Sequence, residues 1–243
     1  MKDWKEEKEK IVRWIQNRVK AANAQGLVLG MSGGIDSSVL AVLAKSALPN
    51  HTLGLMLPCH SLKEDLEDAL LVAQQFSIPY QIIPLNEVFD LFYQTIMKEQ
   101  TIPPNQMAQA NLKSRLRMCT LYYFANSMNY LVGGSSNRSE LLVGYFTKHG
   151  DSGVDLLPIA HLTKTEVREM ALFLGIPEKI ITKPPSAGLW PGQTDEEEMG
   201  VSYSQIDRFI ETGEVEEPYR SLIQNLIAKN QHKRQLPPTP EEG

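Results

Sequence analysis

The chain has 243 residues, 42% hydrophobic and 22% charged, with a net charge of −5. Its length and apolar content suit one large α/β core or two small ones, and its acidic balance argues against a large nucleic-acid surface. No run of 18 apolar residues could span a membrane, no signal peptide is read at the charged start, and two cysteines, Cys59 and Cys119, make neither a disulfide framework nor a metal spacing, so a cytoplasmic setting is expected.

In chain order, residues 3–24 predict an amphipathic helix, with Ile11, Ile15 and Val19 near one face. Residues 26–31 predict a strand, 36–48 a helix and 53–57 a second strand. A helix is expected over 62–76, capped by Ser61, then a third strand over 80–85 after the Ile78-Pro79 break. Asn86 caps a helix over 86–98, and a long helix covers 105–128. Residues 131–134 predict a fourth strand ending in glycines, and 155–159 a short fifth. Thr163 caps a helix reaching about 174, residues 184–192 form a proline-rich loop, and Thr194 with Glu197 predicts a capping box. Two further helices are expected over 202–211 and 216–230, and the tail 237–243 is expected to fray. Strands alternating with helices predict a doubly wound parallel sheet of about five strands, flavodoxin- or Rossmann-like, with a helical C-terminal part. Ligands in such sheets bind at the carboxyl ends of the strands.

The most informative segment is Gly30-Met31-Ser32-Gly33-Gly34-Ile35-Asp36-Ser37, where a strand passes through a glycine turn into a helix. Adjacent glycines let backbone N–H groups approach an anion, hydroxyls add donors, and the helix directs its positive end at the same point. A carboxylate there, Asp36, repels phosphate unless a cation intervenes, which points to a nucleotide carried with Mg²⁺. No Gly-Lys-Ser/Thr follows, so the common P-loop is excluded. The segment resembles the pyrophosphate loop of the ATP pyrophosphatases.

Other candidates are scattered. Asn111, Arg115 and Met118 share a helix face, with Arg117 pointing elsewhere. Ser135 follows the fourth strand and could donate to a phosphate or to adenine. Glu140 could be a second Mg²⁺ ligand opposite Asp36 if their strands are neighbours, or simply a helix-start glutamate. Lys164 sits in the first turn of a helix, against the dipole's preference for anions, which makes sense if a phosphate lies there, although the cost is small enough for chance placement.

Together these residues resemble the ammonia-dependent NAD synthetase family from about residue 4 to about 235. The resemblance rests on Gly30 to Ser37, the Asn-x-x-x-Arg-x-Arg-Met pattern at 111–118, Glu140, Thr147-Lys148-x-Gly150-Asp151, and Lys183-Pro-Pro-Ser-Ala followed by Gln193-Thr194-Asp195-Glu196. It implies a single synthetase domain over 1–243: an N-terminal helix over 3–24, a core over about 25–182, a lid loop over about 184–193 and C-terminal helices over about 194–235. The implied reaction converts deamido-NAD, ATP and ammonia into NAD, AMP and pyrophosphate through an adenylated intermediate. By the same resemblance, residues 30–37 hold the departing pyrophosphate, and Asp36 and Glu140 bind Mg²⁺. Ser135, Lys164 and Ser186 contact ATP, and Arg115, Lys148, Asp155, His232 and Lys233 contact deamido-NAD. Asp151 lies near the reacting carboxyl, where Lys164 also stabilises charge, and a homodimer is implied. Departures from the family pattern are Ser135 for Thr, His149 for Tyr and Gly188 for Asp.

Two other classes carry a pyrophosphate-type loop or bind nucleotides in this kind of sheet. A tRNA thiolase or lysidine-type enzyme would need a basic RNA surface and, for thiolation, a reactive cysteine. An adenine-nucleotide sensor would have no use for Asp36 paired with Glu140.

Overall fold

The computed structural model describes residues 2–99, 101–186, 188 and 192–240. Helix α1, Trp4–Ala21, starts on the Asp3 side chain, which accepts from the amides of Lys5 and Glu6, and buries Ile11, Ile15 and Val19. It leads into β1 (Gly26–Gly30), α2 (Ile35–Ala47), β2 (Thr52–Met56), α3 (Lys63–Gln75), β3 (Tyr80–Ile82), α4 (Asn86–Glu99), α5 (Gln106–Met128) and β4 (Tyr130–Gly133). The C-terminal part is helical: α6 (Arg138–Val143), α7 (Lys164–Leu174), α8 (Glu178–Thr182), α9 (Asp195–Met199), α10 (Tyr203–Thr212), α11 (Tyr219–Lys229) and α12 (Gln231–Arg234).

The sheet order is β3-β2-β1-β4 and all pairs are parallel. Strand β1 is therefore central, with β2 on one side and β4 on the other, so the topological switch lies at its carboxyl end. Successive side chains on a strand face opposite ways. Leu27 and Leu29 join the core formed with α1, α2, α3 and α7, while Val28 joins the core formed with α4 and α5. A third core, with Val143, Met199, Tyr203, Ile206 and Ile223, ties the C-terminal helices to α6.

Four strands form, not five. The expected strand at 155–159 contributes a single bridge, Leu156 to Gly133. Asp155 and Leu156 both donate to the Val132 carbonyl, and the Asp155 carboxylate accepts from the Val132 amide. Pro158 has no N–H to extend a ladder, and the chain turns away. Two caps also differ. Helix α3 begins after Leu62, and the Ser61 hydroxyl instead accepts from the Cys59 amide and from Arg117. Thr194 does cap α9, but Glu197 returns to the Thr194 hydroxyl rather than to its amide, so the box is not reciprocal. The apolar residues of α5 mostly turn inward: Leu112, Leu116, Tyr122 and Phe124 pack on the core, whereas Tyr123 stays exposed. On α4, Val88, Leu91, Phe92 and Ile96 are exposed. Among the described residues no helix is long and apolar enough to cross a membrane.

Candidate active site

The loop after β1 is shaped by its glycines. Gly33 has φ +81°, and a Cβ there would stand 2.2 Å from the Asp65 carbonyl, so no side chain fits. The Ser32 hydroxyl lies 3.0 Å from that of Ser37 and accepts from the Gly34 amide at 3.3 Å, while the hydroxyls of Ser37 and Ser38 donate to the Gly34 carbonyl. Helix α2 begins at Gly34 without a side-chain cap. Its first-turn amides, which have no partner within the helix, are left for an anion.

The feature that only the folded chain reveals is a convergence of helix starts. Asp36 lies in the first turn of α2, Glu140 in that of α6, Lys164 opens α7, Asp195 opens α9 and Tyr203 opens α10. The Lys164 ammonium lies 2.5 Å from Asp36 Oδ2 and 3.3 Å from Glu140 Oε1. It also sits 4.6 Å from the centre of the Tyr203 ring. The Tyr203 hydroxyl donates to Asp195 at 2.9 Å and to Glu140 at 3.3 Å. Asn137 donates to Asp36 at 2.9 Å and caps α6 reciprocally with Glu140. Lys164 is 2% exposed. Burial disfavours its charge, but Asp36 and Glu140 outweigh that and hold the ammonium above the usual lysine range. Burial, reinforced by Asp36 and opposed by Lys164, raises the Glu140 carboxyl. Burial likewise raises Asp195 against the pull of Lys164.

Two carboxylates thus reach the same cation-sized point. Hard oxygen donors suit Mg²⁺; Glu140 Oε2 is held by the Asn137 amide in the capping box, which leaves Oε1, the oxygen that meets Lys164, facing Asp36. Among the described residues no group of three or more His, Cys, Asp or Glu side chains is placed to hold a metal. A cation here would therefore need phosphate oxygens and water to complete its shell, as Mg²⁺ commonly does.

The remaining sequence-selected residues fall into three places. Arg115 donates to the Lys148 carbonyl at 3.2 Å, the Lys148 ammonium donates to the His232 carbonyl at 2.7 Å, and Lys233 donates to Gly144 and Phe146 at 2.9 Å each. Arg115, Lys148, His232 and Lys233 are thus brought together. Asp151 adjoins them, accepting from the Thr147 amide at 2.8 Å and from Ser114 at 3.0 Å. Burial raises Asp151 above the usual carboxylate range despite those bonds. Asp155 is bonded elsewhere, to Tyr122 at 3.0 Å and to β4, beside a cleft of about 610 Å³ lined also by Trp14, Arg18 and Leu131. Ser135 follows β4 and is half-buried; Ser186 is exposed and accepts from the Gly188 amide. Lys183, at the foot of the 184–193 loop, is bonded to Asp65 and Asp68 at 2.7 Å each, beside Gly33. Residues 187 and 189–191 of the expected lid lie outside the described residues.

Asn137 and Tyr145 lie in the segments 133–140 and 144–151, whose density of polar and aromatic types is suggestive, but no role falls to them or to Tyr203 from the sequence. Tyr145 donates to Asp195 and Glu198 and lies within reach of Gln193. A second signal was the Gln193-Thr194-Asp195-Glu196 segment, whose clustered polar residues open α9.

Comparison with known proteins converges. The family model described as NAD synthase matches residues 7–237. The NH(3)-dependent NAD(+) synthetase of Carboxydothermus hydrogenoformans is 49% identical over 238 residues, covering 98% of each chain. Among solved structures, the NMN synthetase from Francisella tularensis has a TM-score of 0.93 at 38% identity, covering 99% of each chain. The NH3-dependent NAD synthetase from Campylobacter jejuni has a TM-score of 0.83 at 33% identity, covering 98% of this chain and 99% of that one.

Proposed function

The chain belongs to the NAD synthase family, and on that premise we propose that it amidates deamido-NAD with ammonia, using ATP and releasing NAD, AMP and pyrophosphate. The observation that carries this reading is the bridging of Asp36 and Glu140 by Lys164 beside the glycine loop. A triphosphate docked on the loop would meet helix starts, an ammonium and two metal-binding carboxylates at one end of the sheet.

A carboxylate is inert toward ammonia until one oxygen is turned into a leaving group. In the first half-reaction the substrate carboxylate attacks the α-phosphorus of ATP, the bond to the bridging oxygen breaks, and pyrophosphate leaves with the electron pair. Gly30, Met31, Ser32, Gly33, Gly34, Ile35, Asp36 and Ser37 would cradle that pyrophosphate. Lys164, Ser135 and Ser186 would contact ATP, Lys164 turning from the carboxylates to the phosphates. Asp36 and Glu140 would hold Mg²⁺, which when bound screens the charge of the triphosphate. In the second half-reaction ammonia attacks the acyl carbon and AMP leaves. Arg115, Lys148, Asp155, His232 and Lys233 would hold deamido-NAD. Asp151, raised by burial, is suited to take a proton from the incoming nitrogen.

The same reading makes the chain a single synthetase domain working as a homodimer, and the exposed apolar residues of α4 with Tyr123 supply a surface for a second copy. The exposed free thiol of Cys119 suits a cytoplasmic setting. A pyrophosphate-loop RNA-modifying enzyme is the weaker reading for a family member of this identity. One alternative acid substrate is favoured by a specific observation. The TM-score to a structure described as an NMN synthetase is 0.93 against 0.83 for the Campylobacter NAD synthetase, so the mononucleotide acid belongs in the same assay. The test is production of NAD from deamido-NAD with ammonium, with glutamine and the mononucleotide acid as parallel arms. Asp36→Ala and Glu140→Ala should each abolish ATP–pyrophosphate exchange; near-normal exchange in either would remove the metal assignment.

A further inference from the structure

The α5 helix carries a second arginine, Arg117, two residues beyond Arg115 and on a different face. Its Nε donates to the Leu57 carbonyl at 3.1 Å and its Nη2 to the Ser61 hydroxyl at 3.1 Å. Both acceptors are neutral. A guanidinium has five N–H donors, so these two bonds leave most of its donor capacity unused and pair its charge with no carboxylate directly. No carboxylate comes within ion-pair distance of it among the described residues. Lys164 is the contrast, buried between two carboxylates. A half-buried guanidinium with unused donors and no carboxylate within ion-pair distance has room for an anion as a further partner.

Its position says which anion. In the β1–β2 register Leu55 is paired with Gly30. Leu57, two residues further on and just past β2, therefore lies beyond the carboxyl end of the same strand pair from which the glycine loop departs. One helical turn further along α5, Leu121 packs on Gly30, with its Cδ1 3.8 Å from where a Cβ would stand. This places the Arg117 turn at the carboxyl end of β1 and β2. The groups that act on Arg117 from a distance are Cys59 first, then the carboxylates of Asp151 and Asp65. Asp65 abuts Gly33 of the loop, and Asp151 adjoins the Arg115–Lys148 group. Arg117 thus stands between the pyrophosphate cradle and the residues assigned to the second substrate. Of the three phosphoryl groups, the one next to the departing pyrophosphate and joined to the nucleoside belongs there.

We propose that Arg117 is a substrate-binding residue that holds the α-phosphoryl group of ATP and then the phosphodiester of the acyl adenylate, a role distinct from that of Arg115. This rests on the nucleotide reading above and adds a residue to it. The charge on that phosphoryl persists through both half-reactions, so a fixed guanidinium would serve each of them.

The test compares AMP with adenosine, which differ only in that phosphoryl group, by calorimetric titration of the full-length protein. Wild type is expected to favour AMP, and Arg117→Gln to lose about ten- to a hundredfold of that preference, with adenosine and pyrophosphate affinities within about threefold of wild type. Arg117→Lys keeps the charge but not the planar fork, and its AMP-to-adenosine ratio should fall at least about threefold. This gives the same readout should the glutamine variant not fold. An unchanged ratio in whichever variant folds, with normal pyrophosphate binding, overturns the assignment of Arg117 alone. A wild-type protein that binds neither pyrophosphate nor AMP overturns the nucleotide reading together with it.

Discussion

Replacing Lys164 with methionine tests the charge cluster most directly. The ammonium is 2% exposed, and the two carboxylates it joins have side chains only 16% and 14% exposed. Methionine fills much the same volume and removes the charge, leaving the two carboxyl groups without a cation in a poorly solvated site. Removing one partner from a buried ion pair costs about 3–5 kcal/mol because the other is left uncompensated. A chain of this size loses about 2–4 °C of melting temperature per kcal/mol, so the variant should melt about 6–20 °C below wild type near neutral pH. The same logic predicts a partial rescue in the double variant Lys164→Met with Glu140→Gln, since one carboxylate is then neutral and the coupling is read from the cycle. It also predicts that millimolar Mg²⁺ raises the melting temperature of Lys164→Met more than that of wild type, because only the variant lacks an internal cation. Scanning calorimetry of wild type, Lys164→Met, Glu140→Gln and the double variant, with and without Mg²⁺, is sufficient. A Lys164→Met protein melting within about 2 °C of wild type, with no Mg²⁺ effect, would refute the idea that this ammonium compensates the carboxylate pair.

Other outcomes are expected from single features. Gly33→Ala places a Cβ against the Asp65 carbonyl at a φ of +81°; beyond a cost of about 1–2 kcal/mol for the left-handed backbone alone, pyrophosphate affinity should collapse, and near-normal affinity by calorimetry would contradict the loop geometry. Asp151 binds its proton more tightly folded than unfolded, because burial raises it. Stability should therefore fall as pH rises from the ordinary aspartate value of about 3.9 through the raised folded value. Asp151→Asn should make that limb of the urea-denaturation profile shallower, the remainder belonging to Glu140 and Asp195, which burial also raises, and an identical limb in the variant would show that Asp151 contributes nothing to it. Leu91→Glu with Phe92→Glu should yield a monomer by sedimentation, since Leu91 is 68% exposed and Phe92 49%; wild type sedimenting as a monomer at micromolar concentration would discard α4 as the pairing surface.

Much of this molecule is legible from local pattern. A strand, a glycine turn and a helix start over residues 26–38 are set by backbone conformation and short-range periodicity, and Gly33 does adopt the positive φ that only glycine tolerates easily. The parallel α/β sheet follows from alternating elements in the same way. Where local reading failed, competition from distant groups explains it. Ser61 could cap α3, but it binds Arg117 from another helix instead. Residues 155–159 have the composition of a strand, yet the Asp155 carboxylate occupies the Val132 amide and Pro158 ends the ladder. That Lys164 also meets two carboxylates at its helix start is visible only in the fold.

The amino-acid order alone thus committed the chain to a glycine turn opening an uncapped helix in a parallel α/β sheet, because those properties depend on residues within a few positions of one another. The family resemblance already set residues 36, 140 and 164 around one nucleotide, but nothing in the order said that residues 195 and 203 would join them, since separation along the chain carries no information about distance. That meeting depends on β1 lying between β2 and β4 and on five helices starting toward one point. The order also could not say that Arg117 would reach the end of β2, for helical spacing fixes only which face a side chain leaves from, and packing decides what stands opposite.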